Sequence, residues 1–257
     1  MTAHVAGSET APGSSEPSEA EPAKSTKGRP VWQETLLLLV IAVVLAVVMK
    51  AFFVQAFYIP SASMEPGLVE NDRILVEKPS YWSGGPERGD VVVFKDPGGW
   101  LPADESAGPT GAAGVLAKIG LYPSGGHLVK RVIGVEGDVI TCCDGRGRLM
   151  VNGKALDEKG YAVLGGADCY GPMPVDKAHC DWEVGPVPKD HLFVMGDNRN
   201  NSADSSVHAC LGIPKCEDSP YVAEGEVVGK VFVLLWPRDR FELLHRPDSF
   251  ADVPDAG

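Results

Sequence analysis

The sequence lacks any stripe of lysine and arginine, and its charge balance is acidic: 23 basic residues stand against 35 acidic ones among 257 residues. Binding of nucleic acid needs clustered positive charge to neutralise phosphates, so we expect no nucleic-acid partner. No internal repeat is visible. The 30 glycines and 21 prolines favour turns and short strands over long helices. A chain of this length can form one large domain or two modest ones with a sizeable core.

The first 30 residues also lack large apolar side chains apart from Val5, and consist mainly of Ser, Pro, Glu, Ala and Thr. Such a segment cannot bury enough apolar surface to offset the entropy that it loses on ordering. We therefore predict that residues 1–30 are a disordered tail.

One long hydrophobic run follows this tail. Residues 31–49 (VWQETLLLLVIAVVLAVVM) are almost entirely apolar, and apolar character resumes after Lys50. At 1.5 Å per residue the run spans about 28 Å, close to the roughly 30 Å core of a bilayer. A buried helix of a soluble protein would show a polar face, and residues 35–49 show none. The pattern predicts a transmembrane helix over residues 31–56.

Basic residues flank this run unevenly, with Lys24, Lys27 and Arg29 before it and Lys50 after it. Because cytoplasmic flanks carry the excess of Lys and Arg, we expect a single-pass protein of the plasma membrane with a cytoplasmic N-terminus and an extracytoplasmic remainder. A cleaved signal peptide is the alternative, since residues 61–63 (Ser-Ala-Ser) have the small side chains of a processing site. That triplet lies about 13 residues beyond the run, farther than cleavage normally occurs.

All six cysteines lie beyond the hydrophobic run, and an even count suggests disulfide bridges in an oxidising compartment. Cys169 with Cys180 and Cys210 with Cys216 could each close a short loop, but about fifteen pairings are possible and the sequence does not choose among them. A zinc site built from His208, Cys210 and Cys216 is an alternative, although no C-x-x-C pair supports it. We expect no metal and no other cofactor. The six cysteines are Cys142, Cys143, Cys169, Cys180, Cys210 and Cys216.

The chain beyond the run contains short stretches of β-branched residues bounded by Gly, Pro, Asn or Asp. They predict a mainly β fold, in which an antiparallel β-sheet domain covers residues 57–247 on the outer side of the membrane. The predicted strands are 73–78, 90–94, 128–135, 191–196 and 227–236.

Two segments interrupt this strand pattern as insertions. Residues 97–126 are rich in Gly, Pro and Ala, with a weak helical pattern at 114–120. Residues 142–188 carry four cysteines and many prolines, so we expect irregular structure held by disulfides. Residues 248–257 are predicted to be a flexible tail.

A turn with two prolines follows the membrane segment. In IPSASMEP, residues 59–66, Pro60 and Pro66 enclose Ser61 and Ser63. A serine hydroxyl is a weak nucleophile unless a nearby base accepts its proton. Ser63 lies in no G-x-S-x-G elbow, so the base has to be sought farther along the chain.

Three classes of base are open. His127 and His191 lie in the strand-rich part, a carboxylate suits peptide cleavage by serine less well, and a desolvated lysine is a known variant of the serine mechanism. In HLVKRVIG a period of two places Lys130 between Leu128 and Val132 on one face of a strand. Burial there would lower the pKa of the amine and leave it neutral. An ordinary exposed lysine is the alternative, and because the opposite face is nearly as apolar, periodicity does not decide.

The stretch GDNRNNSADS at 196–205 has the composition of an Asx-rich turn. A calcium-binding loop that starts at Asp197 fails on inspection. Its third position is Arg199, its sixth is Ser202 instead of Gly, and its twelfth is His208.

Together these segments resemble the type I signal peptidases, membrane-bound serine/lysine proteases that remove signal peptides from exported proteins. The resemblance covers most of residues 31–140 and 188–236. It is carried, in the family's order, by FYIPSASMEPGL, NDRILVEK, RGDVVVF, LVKRVIGVEGD, GDNRNNSADS and VGKV.

The resemblance implies a role for each matching residue. Ser63 matches the nucleophile and Lys130 the general base. Ser61 matches the serine that helps the backbone N–H of the nucleophile form the oxyanion hole, and Ser202 matches a serine that hydrogen-bonds and orients the lysine amine. Residues that match the supporting network are Arg131, Asp197 and Asp204, and those that match the apolar wall of shallow pockets for small P1 and P3 side chains are Phe57, Ile59, Met64, Leu68, Leu128 and Val129.

Two departures from the family's pattern touch the supporting network. Asn200 replaces a frequent Asp, and Ser206 replaces an Arg that usually helps to hold Asp204. They put the support of Asp204 in doubt, but not the pair formed by Ser63 and Lys130.

The function that the resemblance implies is a membrane-bound serine endopeptidase acting on exported precursors with small residues at P1 and P3. Membrane lipid is its second expected partner, and no metal or nucleotide is needed. The alternative is a catalytically inactive, membrane-anchored extracytoplasmic binding module. A self-cleaving repressor, another serine/lysine protease, would require a DNA-binding domain where this chain has its hydrophobic run.

Overall fold

The computed structural model describes residues 30–108, 110–112, 114, 125–163, 169, 180–209 and 219–256. The first element is an apolar helix, α1, at Val31–Val48, followed by a π-helical turn at Met49–Phe53. No residue of α1 is buried, and the helix is long and apolar enough to cross a membrane. The N-terminal apolar helix is confirmed.

The helical segment ends at Phe53, three residues before the predicted boundary at 56. Strand β1 occupies Val54–Tyr58 and pairs antiparallel with β2 at Arg73–Glu77, so that Ala56 lies opposite Leu75. Hydrophobicity continued across the boundary, but strand pairing decided the structure of residues 54–56.

Eight antiparallel strands form the main sheet, in the order β1-β2-β11-β3-β4-β9-β10 with β12 paired to β11. Each of the five predicted strands is present within one residue at either end, and the mainly β antiparallel class is confirmed. The members of this sheet not yet given are β3 (Val91–Lys95), β4 (His127–Gly134), β9 (His191–Met195), β10 (Tyr221–Ala223), β11 (Val227–Trp236) and β12 (Glu242–Leu243). Two short helices lie at Ala103–Ser106 (α2) and Ser205–His208 (α3).

The central strands are buried on both faces. Val91 and Val93 of β3 pack into one hydrophobic cluster, whereas Val92 and Phe94 pack into another. Because successive side chains of a strand point to opposite faces, a strand covered on both sides has no polar face. This is why periodicity could not assign a face to Lys130 in the neighbouring strand β4.

A second, smaller sheet replaces the irregular structure that we predicted for part of residues 142–188. Its order is β7-β6-β5-β8, and its strands are β5 (Ile140–Cys142), β6 (Met150–Val151), β7 (Lys154–Ala155) and β8 (Trp182–Val184). Each of these strands has only two or three residues, too few to leave a visible alternation in the sequence.

Four cysteines of this region form two disulfides, Cys142–Cys143 and Cys169–Cys180. The second is one of the two loop closures that spacing allowed. Cys210 and Cys216 lie outside the described residues, as does most of the helical pattern expected at 114–120.

The C-terminal residues contribute to the core, contrary to the flexible tail predicted for 248–257. Phe250 and Val253 are buried in the cluster that also contains residues of the second sheet. A 3₁₀ turn at Asp248–Phe250 leads into this packing. Two isolated apolar residues among Asp, Ala and Pro gave no periodic signal in the sequence.

Candidate active site

The turn after β1 holds Ser63 in a fixed place. Ala62–Met64 form one 3₁₀ turn, and Ser63 is only 9% exposed. Asn198, which follows β9, holds this turn: its backbone N–H donates to Ser63 O (3.0 Å), and its side-chain amide donates to Ala62 O (3.1 Å). Asn198 lies 136 residues beyond Ala62. Tertiary contacts therefore fix the turn, in addition to its two prolines.

Strand β4 brings Lys130 to this turn. Lys130 lies opposite Val92 of β3, is 3% exposed, and its Nζ donates to Ser63 Oγ at 2.6 Å. Burial lowers the pKa of the amine to about 8, although the negative charges of Asp204 and Asp197 act to raise it. A substantial fraction of the amine is therefore neutral near physiological pH and able to accept a proton.

No histidine of the described ranges is hydrogen-bonded to the serine. Among the described residues, the hydroxyl of Ser63 hydrogen-bonds to Lys130 and to Ser61, whose Oγ lies 3.4 Å away. Ser61 itself is exposed, beside a buried Ser63. The hydroxyl of Ser61 thus lies on the solvent side of the pair, where a substrate carbonyl could approach it.

Asp204 organises the other side of the pair. Its Oδ2 accepts from Gly196 N (2.8 Å) and Ser202 Oγ (2.6 Å), and its Oδ1 accepts from the backbone N–H (3.0 Å) and Oγ (2.6 Å) of Ser206. Ser206, which stands where the family often has Arg, thus holds Asp204 with a hydroxyl and a backbone donor. The departure at position 206 does not leave this carboxylate without support.

One predicted contact is not formed. Among the described residues no hydrogen bond joins Ser202 to Lys130, because the Ser202 hydroxyl is directed to Asp204. Ser202 nevertheless lies close by, since a Cβ placed on Gly196 would meet both the Ser202 side chain and Ser63 O. Its link to the lysine in this structure runs through the charge of Asp204, which faces the amine.

Arg131 and Asp197 form a buried bidentate ion pair, with Nε–Oδ1 at 2.8 Å and Nη2–Oδ2 at 2.7 Å. Arg131 Nη1 also donates to Gly89 O (2.9 Å), and its guanidinium lies over the ring of Tyr161, 4.4 Å from the centroid. The two residues that we expected to act together are therefore in contact. The pair fixes the middle of β4 against the segment that carries Asn198.

Five of the six predicted pocket residues belong to one hydrophobic cluster: Ile59, Met64 and Leu68 are buried in it, and Phe57 and Val129 pack against it. Leu128 does not join them, because it points to the opposite face of β4 and packs with Val92 and Phe94. Neighbours in a strand face opposite ways, so Leu128 lies on the face of β4 that also carries Lys130. The assignment of all six residues to the substrate pocket stays a prediction.

Three further residues of the site were not singled out from the sequence. Asn198 and Gly196 lie within the stretch GDNRNNSADS, where only the Asx-rich composition was visible. Glu158 lies in the segment expected to be irregular, yet it is fully buried and pairs with Arg199. No local pattern marked it, because its partner lies 41 residues away.

Metal ligands are a separate question. Among the described residues one group has sulfur atoms close enough to share an ion, Cys142, Cys143 and Cys169, whose Sγ atoms lie within 4.8 Å of one another. All three are oxidised in disulfides, and a disulfide sulfur is no thiolate ligand. Of the zinc set considered above, His208 stacks on Trp100 (4.6 Å between ring centroids), and Cys210 and Cys216 lie outside the described residues.

Comparison with known proteins identifies relatives over most of the chain. Residues 32–236 match the family described as signal peptidase, peptidase S26. A signal peptidase I of Mycobacterium tuberculosis is 37% identical over 253 residues, covering 91% of this chain and 83% of that protein. A probable signal peptidase I-2 of Synechocystis is 35% identical over 226 residues, covering 88% and 83%. A solved signal peptidase I structure from Enterococcus faecalis matches with a TM-score of 0.30 at 21% identity, over 56% of this chain and 95% of that one.

Proposed function

The chain belongs to the signal peptidase family, peptidase S26, and is a membrane-anchored serine endopeptidase that cleaves signal peptides; we propose that Ser63 is its nucleophile and Lys130 its general base. The observation that carries this assignment is the 2.6 Å contact between Lys130 Nζ and Ser63 Oγ, both buried, at the turn that follows β1.

The pair supports a two-step cleavage. Neutral Lys130 takes the proton of Ser63 as Oγ attacks the carbonyl carbon of the scissile peptide bond. The ammonium then gives this proton to the leaving amine, and the signal peptide remains as an ester on Ser63. Neutral again, Lys130 removes a proton from water, which hydrolyses the ester and restores the serine.

The negative oxygen that develops during attack needs hydrogen-bond donors. The backbone N–H of Ser63 and the hydroxyl of Ser61 are the candidates, because Ser61 Oγ lies 3.4 Å from the attacking oxygen on its exposed side. Donors fixed in advance at such an oxygen are worth a few kcal/mol each. On the buried side, Asp204 and the pair Arg131–Asp197 fix the positions of Lys130 and of the serine turn relative to each other.

The precursor binds as an added strand. Among the described residues no strand pairs with the outer edge of β1, and Ser63 follows the end of β1 by five residues. An extended peptide along this edge would place alternate side chains toward the cluster of Phe57, Ile59 and Met64. A shallow apolar wall of this kind suits small side chains at P1 and P3.

The flanking charges give the orientation. Lys24, Lys27 and Arg29 precede the hydrophobic run, and Lys50 follows it. By the positive-inside rule the N-terminus is cytoplasmic, the chain crosses the membrane once, and the β domain is extracytoplasmic, with membrane lipid around the helix.

A cleavage assay tests the assignment. The full chain, purified in detergent, is incubated with a precursor that carries an Ala-x-Ala site, and the product is identified by N-terminal sequencing. We expect cleavage after that site by the wild type and none by Ser63→Ala or Lys130→Met, both folded by circular dichroism. Equal cleavage by Ser63→Ala and the wild type would contradict the nucleophile, and no cleavage by the wild type would favour a binding module.

A further inference from the structure

A second buried ion pair lies behind the candidate active site. Glu158 and Arg199 have fully buried side chains and meet through two contacts, Nη2–Oε1 at 2.5 Å and Nη1–Oε2 at 3.1 Å. Glu158 comes from the segment between β7 and β8, whereas Arg199 opens the 3₁₀ turn Arg199–Asn201 after β9. Burying two charges is costly, and well-packed apolar residues can often replace such a pair without loss of stability. Stability alone is therefore a weak reason for its presence.

The pair is joined to the backbone of the segment that carries Asn198. Arg199 Nε donates to Gly196 O (3.0 Å), so one guanidinium links Glu158 to the start of this segment. The backbones also pair: Val163 N donates to Asp197 O (2.9 Å), and Arg199 N donates to Val163 O (3.0 Å). Residues 158–163 thus act as a frame for residues 196–199.

Residues 196–199 in turn hold both partners of the proposed catalytic pair. Asn198 fixes the nucleophile turn through Ala62 O and Ser63 O. Gly196 N donates to Asp204, the carboxylate that faces Lys130. A second set of contacts starts at the Glu158 carboxylate and reaches β4. Tyr161 donates to Glu158 Oε1 (3.0 Å), and the Tyr161 ring lies under the guanidinium of Arg131.

We propose that Glu158 is a positioning residue for peptide cleavage: through Arg199 it fixes residues 196–199, and with them the distance between Ser63 and Lys130. The proposal rests on the proposed function of that pair. Residues 158–163, which lie outside the motifs that carry the family resemblance, would then help to set the position of Ser63 relative to Lys130. A displacement of about 1 Å at reacting atoms can cost on the order of a hundredfold in rate, so small movements of this frame are sufficient to slow turnover.

The test separates positioning from folding with a matched control pair. Glu158→Gln removes the carboxylate charge that pairs with the Arg199 guanidinium, whereas Arg199→Lys keeps a positive charge opposite Glu158 but removes the Nε–H that donates to Gly196 O. The controls are Asp138→Asn and Arg88→Lys, which change a similar bidentate pair (2.6 and 2.7 Å) in which Asp138 is fully buried. Among the described residues the other hydrogen-bond donors to the Asp138 carboxylate are Val135 N and Asn152 Nδ2, outside the segment 196–204.

For each full-length variant, kcat and KM for the precursor are measured per folded molecule, at a temperature well below the Tm. We expect kcat of Glu158→Gln and of Arg199→Lys to fall at least about tenfold below that of the matched control, with KM within about threefold of the wild type. A smaller fall in kcat, or a loss that appears only in KM, overturns the proposal. If Glu158→Gln does not fold, Arg199→Lys decides by the same threshold.

The assay also distinguishes this proposal from the proposed function. Wild-type protein and Ser63→Ala are run alongside, and their difference reports whether the serine is the nucleophile. Normal cleavage by the wild type with no cleavage by Ser63→Ala, together with unimpaired Glu158→Gln and Arg199→Lys, removes only the positioning role.

Discussion

The amine of Lys130 lies 2.6 Å from the hydroxyl of Ser63, and neither group has more than 9% of its residue exposed to solvent. A charged amine in this position can only donate to the serine, whereas a neutral amine can remove its proton. The fold therefore has to supply the free energy that keeps an amine uncharged.

Lys130→Met should make the folded protein more stable at pH 7 while abolishing cleavage. The amine has a pKa of about 8 when folded and near 10.4 when unfolded, so between these values the unfolded chain holds the extra proton and stability rises with pH. Below pH 8, burial of the charged amine lowers the free energy of unfolding by about 3 kcal/mol. Its hydrogen bond to Ser63 offsets about 1 kcal/mol of this cost. We expect a net gain of about 2 kcal/mol at pH 7, measured by urea unfolding, that shrinks toward pH 11. A variant less stable than the wild type at pH 7 would show that the amine is not desolvated.

Lys130→Arg should be inactive although it preserves charge and approximate length. A guanidinium remains protonated at any pH at which the protein is folded, so it cannot act as the base. Loss of a general base costs about 100-fold to 10,000-fold, and we expect kcat to fall at least about 100-fold. The measurement is precursor cleavage by the purified variant after circular dichroism has shown that it is folded. Near-normal turnover would remove Lys130 from the mechanism.

Asp204→Asn should move the pH dependence of cleavage toward lower pH. The charge of Asp204 raises the pKa of Lys130, so its removal lets that pKa fall further, and Asp197 remains as the other facing carboxylate. Activity at saturating pH should also fall, because an amide nitrogen cannot accept the hydrogen bonds that one carboxylate oxygen now accepts. The control is Asp144→Asn, which alters an ion pair with Arg148 close to the surface and should leave the midpoint unchanged. A midpoint that moves to higher pH in Asp204→Asn would contradict the electrostatic account.

Gly196→Ala should slow cleavage at least about 100-fold. A Cβ at this position would lie 2.5 Å from Ser63 O and 2.5 Å from Ser202 Cβ, so the nucleophile turn has to shift. Gly225→Ala is the matched control, because a Cβ there meets nothing within 4 Å. Cleavage is compared with the precursor at saturation, so that a change in kcat is separated from a change in binding. Equal rates for the two alanine variants would show that this close approach is unimportant.

Features that depend on a local sequence pattern were predicted correctly. The five long strands carry runs of β-branched residues bounded by turn formers, and their ends agree with the structure within one residue. The serine turn and Lys130 were found by family motifs, and the structure brings them together across 67 residues. Their catalytic roles remain predictions.

The rest depended on contacts between distant residues. The strands of the second sheet have two or three residues, so their pairing, and not their own sequence, defines them. The sequence also could not show which face of β4 points to the site, because both faces of this strand are largely buried and mainly apolar. Glu158 could not be recognised for a related reason: a Glu in the charged run DEK at 157–159 is ordinary until Arg199 is placed beside it.

The pH dependence of kcat/KM tests the central claim most directly. Cleavage of a precursor with an Ala-x-Ala site is measured from pH 6 to pH 10 with the full-length protein, whose stability is followed over the same range. Since burial lowers the pKa of Lys130 to about 8, kcat/KM should rise as pH increases through that value and then level off. A rate that is constant across this range, or that falls as the pH is raised through 8 while the protein stays folded, would contradict a neutral lysine acting as the base for Ser63.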